Sequence, residues 1–432
     1  MAPKNRIIID TDPGVDDVLA ILLALSSPAS ELETLLISVT HGNVDVQSCL
    51  RNVVSVFHIL NQELAWRKSH NLKPGFEGIT KFKPLVAVGA DAPLEDAPTE
   101  SADYFHGIDG LAGIHVSHPH LSPAEGWKRL FEEEQQNHDH DQHHDAAPPH
   151  HSFTPSLQPS HKEILRLLRE NEAGTITLIA LGPCTNYALA AAEDPETFLR
   201  CKEVVLMGGV VEGPGNVTPV AEFNVYADPY ATAAVFALTS PQPWSTMPVP
   251  LTGATSESLP PYPQPGPAKQ LAVRLMALDI TERHVLSRGQ VREATAPLIA
   301  RGSPLAHWLN TFMTPILDKM ERLHEGHAGD VTNLALHDPL CVYYVLTQDW
   351  AGWEASAKSP EDVRVETRGQ WSRGMTVGDR RGRKRRDSDG EAPHDRGNWL
   401  GRKSGNRIIR MVRSGKEGVM VGTEIMDSIF TC

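Results

Sequence analysis

The 432 residues carry 40% hydrophobic, 22% charged and 6% aromatic side chains, an ordinary globular mix that excludes a collagen-like or wholly disordered chain. Forty Lys and Arg against 54 Asp and Glu leave a formal charge of −14, which disfavours general binding to nucleic acid or to an anionic membrane. Five cysteines (Cys49, Cys184, Cys201, Cys341 and Cys432) are scattered with no Cys-x-x-Cys pair, which argues against a disulfide scaffold or a thiolate zinc site and fits a reducing compartment.

A short polar lead runs straight into Ile7-Ile8-Ile9, too brief an apolar stretch for a signal-peptide core. No apolar run approaches the roughly 18 residues of a membrane span, so a cytoplasmic protein is expected. Short β-branched runs at 6–10, 35–40, 84–89, 175–181 and 203–207 read as strands. Helical patterns at 15–25, 45–60, 161–169, 186–192 and 229–238 alternate with them. This order predicts an α/β fold, Rossmann-like, with an open, mainly parallel central sheet flanked by helices. Stretches 117–160, 256–267 and 380–405 are His/Asp-, Pro- and Arg/Asp-rich. They lack an apolar face, so a single catalytic domain with three low-complexity surface insertions is expected.

The strongest chemical signal is Asp10-Thr11-Asp12-Pro13-Gly14-Val15-Asp16-Asp17, placed between the first strand and the first helix. Loops at the carboxyl ends of parallel strands bind ligands in α/β proteins. An acidic helix start accounts for one or two such residues through the helix dipole. Four crowded carboxylates call for a neutraliser, and a hard divalent ion, Ca²⁺ or Mg²⁺, is the simplest. Further polar clusters follow other strands: His41-Gly42-Asn43, Gly182-Pro183-Cys184-Thr185-Asn186, and Met207-Gly208-Gly209 with Asn216, Glu222 and Asn224. His337-Asp338-Pro339 comes late in the chain. Amides and carboxylates together suit a ligand with many hydroxyls.

On these residues the chain resembles the nucleoside hydrolase family of the inosine–uridine-preferring type. Asp10–Asp17 matches its D-x-D-P-G-x-D-D signature. The other matches are Gly42-Asn43, Gly182–Asn186, Met207–Gly209, Gly215–Asn224, His337–Pro339 and Arg373–Asp379. The resemblance implies a ribonucleoside hydrolase that cleaves the N-glycosidic bond of a purine or pyrimidine ribonucleoside with a Ca²⁺-held water. It implies Ca²⁺ ligands at Asp12, Asp17, Asp338 and the Leu181 carbonyl, where the family commonly has Thr. Asp12 would take the water's proton, and Asp16, Asn43, Asn216, Glu222, Asn224 and Asp338 would meet the ribose. Asp10 would orient the loop from behind, and His337 would serve the leaving base, with a structural role at the helix start as its alternative. A dimer or tetramer is implied as well.

Other features stay open in the sequence. His324-Glu325-Gly326-His327 either covers the base or is a solvated loop, and His106 in Tyr104-Phe105-His106-Gly107 is either near the active site or structural. Trp308, Trp350 and Trp353 flank the late region without an evident place. The His-rich run 138–151 reads as a solvated insertion rather than a metal site, for want of fixed spacing. The basic run 380–386 is either a nuclear-import or anionic-ligand patch or a solvated loop, the second favoured by its context. Competing activities are an aspartate-nucleophile phosphohydrolase, which leaves Asp16 and Asp17 without a role, and a catalytically silent nucleoside-binding relative.

Overall fold

The computed structural model describes residues 2–95, 100–132, 152–248, 259–387 and 390–431. Thirteen strands occur among them: β1 (Asn5–Thr11), β2 (Leu32–Val39), β3 (Leu85–Val88), β4 (Thr154–Pro155), β5 (Ile176–Ala180), β6 (Glu203–Met207), β7 (Val273–Met276), β8 (Val285–Ser287), β9 (Asn333–Ala335), β10 (Glu354–Ala355), β11 (Val363–Val365), β12 (Thr376–Gly378) and β13 (Ile408–Arg413). Nine of them form one sheet in the order β10-β13-β7-β6-β5-β1-β2-β3-β4. Every pairing in it is parallel except β10 with β13. Two antiparallel pairs, β8/β9 and β11/β12, stand outside it.

The central strands are apolar on both faces because helices cover both. Ile7 and Ile9 of β1 join Ile37, Ile179 and Val205 in one buried layer. Ile8 joins Leu36, Leu178 and Val204 in the other. Period-two alternation thus feeds two cores rather than a core and a wet surface. The helix Val15–Ser26 is buried along all 12 residues and packs against the helix His337–Thr347.

The second helix, Val46–Ser69, runs well past the expected end at residue 60. Its polar end is stabilised inside the protein. Glu63 pairs with Arg67 at 2.9 Å, both side chains almost fully buried. Glu63 Oε2 also accepts from Ser303 Oγ at 2.7 Å and Leu305 N at 3.2 Å, tying in the start of the helix Pro304–Leu323.

The three low-complexity stretches do bury apolar groups, against the sequence expectation. Leu121, Trp127 and Phe153 join the main core, and Leu259, Tyr262 and Leu400 are buried. Single large side chains in polar runs suffice to anchor these segments, a signal that periodicity does not register. The centre of the His-rich run lies outside the described residues. Among the described residues no helix is long and apolar enough to cross a membrane.

Candidate active site

β1 is the point where the sheet order reverses: the chain builds β2, β3 and β4 on one side and then returns to place β5 on the other. A crevice outside the carboxyl ends of β1 and β5 is where an open α/β sheet holds its ligand. β1 delivers Asp12 there, and β5 delivers Leu181 and Gly182. Neither Gly42 nor Gly182 has room for a side chain. A Cβ on Gly42 would lie 2.0 Å from Asp12 Oδ2, and one on Gly182 would lie 2.5 Å from Asp12 Oδ1. The two glycine turns thus enclose one carboxylate.

The acidic loop is tied together by hydrogen bonds. Asn43 N donates to Asp12 Oδ2 at 2.7 Å, and Asn43 Nδ2 donates to the Asp12 carbonyl at 3.1 Å and to Asp17 Oδ2 at 3.0 Å. Asp17 closes the first turn of its helix by accepting from Gly14 N at 3.0 Å. Thr11 Oγ1 donates to its other oxygen. Asp10 lies behind: its Oδ1 accepts from Asn186 Nδ2 at 2.8 Å and from Ser38 Oγ, joining β1, β2 and the helix after β5. Thr185 of the same motif donates to Asp228 Oδ2 at 2.7 Å. The Gly-Pro-x-Thr-Asn motif therefore supports the site through Gly182 and Asn186 and reaches back to Asp228 through Thr185.

Asp16, Asp17 and Asp338 can each bring a carboxylate oxygen within 4.8 Å of the other two. All three are buried. Burial first, and the neighbouring carboxylates second, push Asp338 well above the usual carboxylate range. Burial and the Asp17 charge lift Asp16 to about 7, and burial also raises Asp17. Asp12 is raised well above its ordinary value by burial and by Asp17. The Asp17 and Asp338 carboxyl groups lie close enough to repel one another when both are ionised, and either a proton or a cation between them would relieve that repulsion. Asp12 Oδ1 is buried with no hydrogen-bond partner. An all-oxygen donor set, mutual repulsion and an orphaned carboxylate oxygen together fit a hard divalent cation. The close trio contains Asp16 rather than Asp12, whose Oδ2 accepts from Asn43 N.

Above this floor opens a cavity of about 550 Å³. Asp16, Asn43, Leu181, Asn216, Glu222, Asn224, His337 and Asp338 all border it. Asp10, Asp12 and Asp17 lie outside its lining. Glu222 caps the helix Phe223–Ala227, accepting from Asn224 N at 2.7 Å and Val225 N at 3.0 Å, and it also accepts from Gly209 N at 2.8 Å. Asn216 Oδ1 accepts from Phe223 N at 2.9 Å. Asn224 Nδ2 donates to the Leu181 carbonyl at 2.6 Å, which links a predicted sugar contact to a predicted metal ligand. Asn43 uses its amide nitrogen within the acidic loop.

His337 is half-buried on the cavity wall, and loss of solvent around it pushes its pKa down to about 4, so the imidazole is neutral near pH 7. Its Nδ1 lies 2.8 Å from Thr281 Oγ1. His106 also borders the cavity, and its Nδ1 accepts from Val15 N at 3.1 Å, bracing the start of the first helix. Burial holds it neutral at about 3. His324, at the end of the helix Pro304–Leu323, reaches the cavity together with Met320 and Leu323.

Sequence reasoning missed Thr281, Glu282, Met320 and Leu334. They come from unrelated segments with no motif of their own. Among the described residues the Phe, Tyr and Trp lining is Tyr104, Phe105 and Phe223, with no tryptophan. Trp308 is in the core against Phe312, and Trp350 and Trp353 pack on Tyr343.

The sequence model described as "Inosine-uridine preferring nucleoside hydrolase" matches residues 7–398. An uncharacterized protein of Schizosaccharomyces pombe is 29% identical over 375 residues, covering 87% of this chain and 89% of its own. The pyrimidine-specific ribonucleoside hydrolase RihA of Escherichia coli O9:H4 is 30% identical over 376 residues, covering 86% of this chain and 88% of its own. The solved purine-preferring ribonucleoside hydrolase from Gardnerella vaginalis superposes with a TM-score of 0.63 at 20% identity, over 99% of this chain and 98% of that one, which establishes the shared fold. A chain matched over nearly its whole length, with these carboxylates gathered at the switch point of its sheet, belongs to the inosine–uridine preferring nucleoside hydrolase family, enzymes that hydrolyse N-glycosidic bonds.

Proposed function

We propose that this chain is a Ca²⁺-dependent ribonucleoside hydrolase that releases ribose and a free purine or pyrimidine base. The observation that carries the reading is the buried carboxylate floor of the cavity, with Asp12 Oδ1 unpartnered beside it. Asp12, Asp17, Asp338 and the Leu181 carbonyl would hold the ion, with Asp16 close by. When bound, the ion supplies a Lewis acid that lowers the pKa of a water. Asp12 Oδ1, with no competing donor, accepts the proton of the attacking water.

Asp16, Asn216, Glu222, Asn224 and Asp338 bind and orient the ribose hydroxyls, and Asn43 acts mainly by fixing Asp12 and Asp17. As the bond to the base breaks, positive charge grows on the sugar ring, as in glycoside hydrolysis, and the surrounding carboxylates stabilise it. His337 works as a neutral donor. With the Thr281 hydroxyl donating to Nδ1, Nε2 would carry the hydrogen offered to the leaving base. Tyr104, Phe105 and Phe223 give flat apolar walls that accept either size of base, so preference among bases is modest.

Self-association as a dimer or tetramer belongs to the same proposal, by family resemblance, and sedimentation velocity measures it. The four described cysteines, Cys49, Cys184, Cys201 and Cys341, are free and buried, which supports a reducing compartment such as the cytoplasm.

The test is ribose release from uridine, cytidine, inosine and adenosine, with and without a calcium chelator. Chelator-sensitive release from at least one is expected. A protein that binds calcium yet releases ribose from none of them overturns the reading.

A further inference from the structure

A second cavity, of about 320 Å³, lies where β11 begins and β12 ends, and it shares no residue with the nucleoside cavity. Lys358, Arg380, Arg383 and Arg385 border it. Here the basic run is folded rather than extended. Asp395, whose side chain is fully buried, accepts from Arg381 Nη2 at 2.9 Å, Arg386 Nη2 at 2.9 Å and Leu400 N at 3.0 Å. Two arginines of the run thus anchor a loop and hold the others around the cavity.

The carboxylates of the wall are already engaged. Glu361 pairs with Arg410 at 3.1 Å, Asp362 with Arg364 at 2.8 Å and Asp379 with Arg381 at 2.8 Å. Among the described residues the bordering cations have no such counter-charge. Arg380 donates to the Val211 carbonyl, and Arg383 Nη1 donates to the His394 carbonyl at 2.9 Å. Lys358 and Arg385 have no carboxylate partner among the described residues. Arg407, near Arg385, donates its guanidinium to the carbonyls of Arg402 at 2.7 Å, Ser404 and Gly405 at 3.0 Å and Asn406 at 2.8 Å, with no carboxylate partner among the described residues. Burial and the charge of Arg385 both oppose its protonation. In a chain of net charge −14, unneutralised cations gathered round a cavity mark a place for an anion.

A dianion relieves such a cluster better than a carboxylate, and guanidinium forks match phosphate oxygens. Leu400 and Trp399, the latter with Arg364 4.0 Å from its ring centroid, supply an apolar wall for the rest of a ligand. We propose that this cavity is a binding site for a small phosphate monoester of sugar-phosphate or mononucleotide size, separate from the nucleoside site.

Isothermal titration of the full chain at low ionic strength tests this, with ribose 5-phosphate, uridine monophosphate, inorganic phosphate and sulfate as probes. The comparison protein carries Arg383→Gln and Arg385→Gln. Both side chains are exposed, so its melting temperature and ribose-releasing activity should match the parent. Saturable one-to-one binding of a monoester is expected, weakened about tenfold or more in the double variant because hydrogen bonds to charged groups are lost. Equal binding by both proteins, or no saturation, overturns the proposal. Inorganic phosphate binding as tightly as either monoester assigns the site to free phosphate and overturns the monoester. Sulfate binding equally well reduces it to a generic anion patch, and a single-stranded oligonucleotide bound in preference makes it a nucleic-acid surface.

Discussion

Replacing Gly182 with Ala tests whether the position of the Asp12 carboxylate controls the reaction. The added Cβ would lie 2.5 Å from Asp12 Oδ1 and 3.1 Å from Thr40 Cγ2, whereas ordinary contact begins at 3.4 Å. The carboxylate must therefore retreat by about 0.9 Å, the difference between the two distances. It has nowhere to go without loss. Its Oδ2 is fixed by Asn43 N at 2.7 Å and faces the equally crowded Gly42. Overpacking of this kind costs about 1–3 kcal/mol of stability. A shift of about 1 Å in a reacting group costs about 10²-fold in rate, or about 2.7 kcal/mol of barrier. Steady-state kinetics at saturating calcium should show kcat down about 10²-fold with KM changed less. The control is Gly126→Ala, where an added Cβ meets nothing within 4 Å. A Gly182→Ala protein with parental kcat and melting temperature refutes the reasoning.

Three more outcomes follow from the same geometry. Asp12→Asn keeps the shape of the side chain but removes the proton acceptor, so turnover should fall by about 10³-fold; near-normal ribose release would remove Asp12 from the base role. Burial lifts Asp16 to about 7 and raises Asp12 and Asp338 well above the usual carboxylate range. Raised folded-state values mean that their contribution to stability is intact below the unfolded pKa and is lost as pH rises through the folded one. A cation reverses that loss, so the melting-temperature gain on adding calcium should grow from pH 5 to pH 8, with protons released on binding; a gain independent of pH contradicts this. His337→Ala should slow hydrolysis of nucleosides about 10²-fold yet leave an activated aryl riboside, whose leaving group needs no donor, nearly untouched. Equal losses on both substrates would make His337 structural.

The parts of the molecule legible in the sequence are those whose residues are neighbours in the chain. Ile7-Ile8-Ile9 announces a strand buried on both faces, and Asp10–Asp17 places four carboxylates in one turn. The roles within that turn are harder to read. The family resemblance gives Asn43 a place at the sugar, and it does border the cavity, but that its amide nitrogen also ties Asp12 to Asp17 is visible only in the folded chain. Part of the cavity wall is built by Glu282, Met320 and Leu334, which meet only through tertiary packing. The second helix outlasts its expected end because Glu63 and Arg67 satisfy each other in the interior, a pairing that polarity alone conceals. Trp127 and Phe153 anchor segments whose average composition reads as solvated.

The fully buried first helix also shapes how the protein is made. Its partner, the helix His337–Thr347, is synthesised long after Val15–Ser26 has left the ribosome. At about 5–20 residues per second, the interval is roughly 15–60 s. Throughout it, an apolar cylinder with no wet face must be shielded by other means. Chains interrupted before residue 337 keep that surface uncovered and are natural clients for chaperones and proteases. The yield of working enzyme in a cell is therefore governed by protection of the nascent amino-terminal segment as much as by the stability of the finished fold.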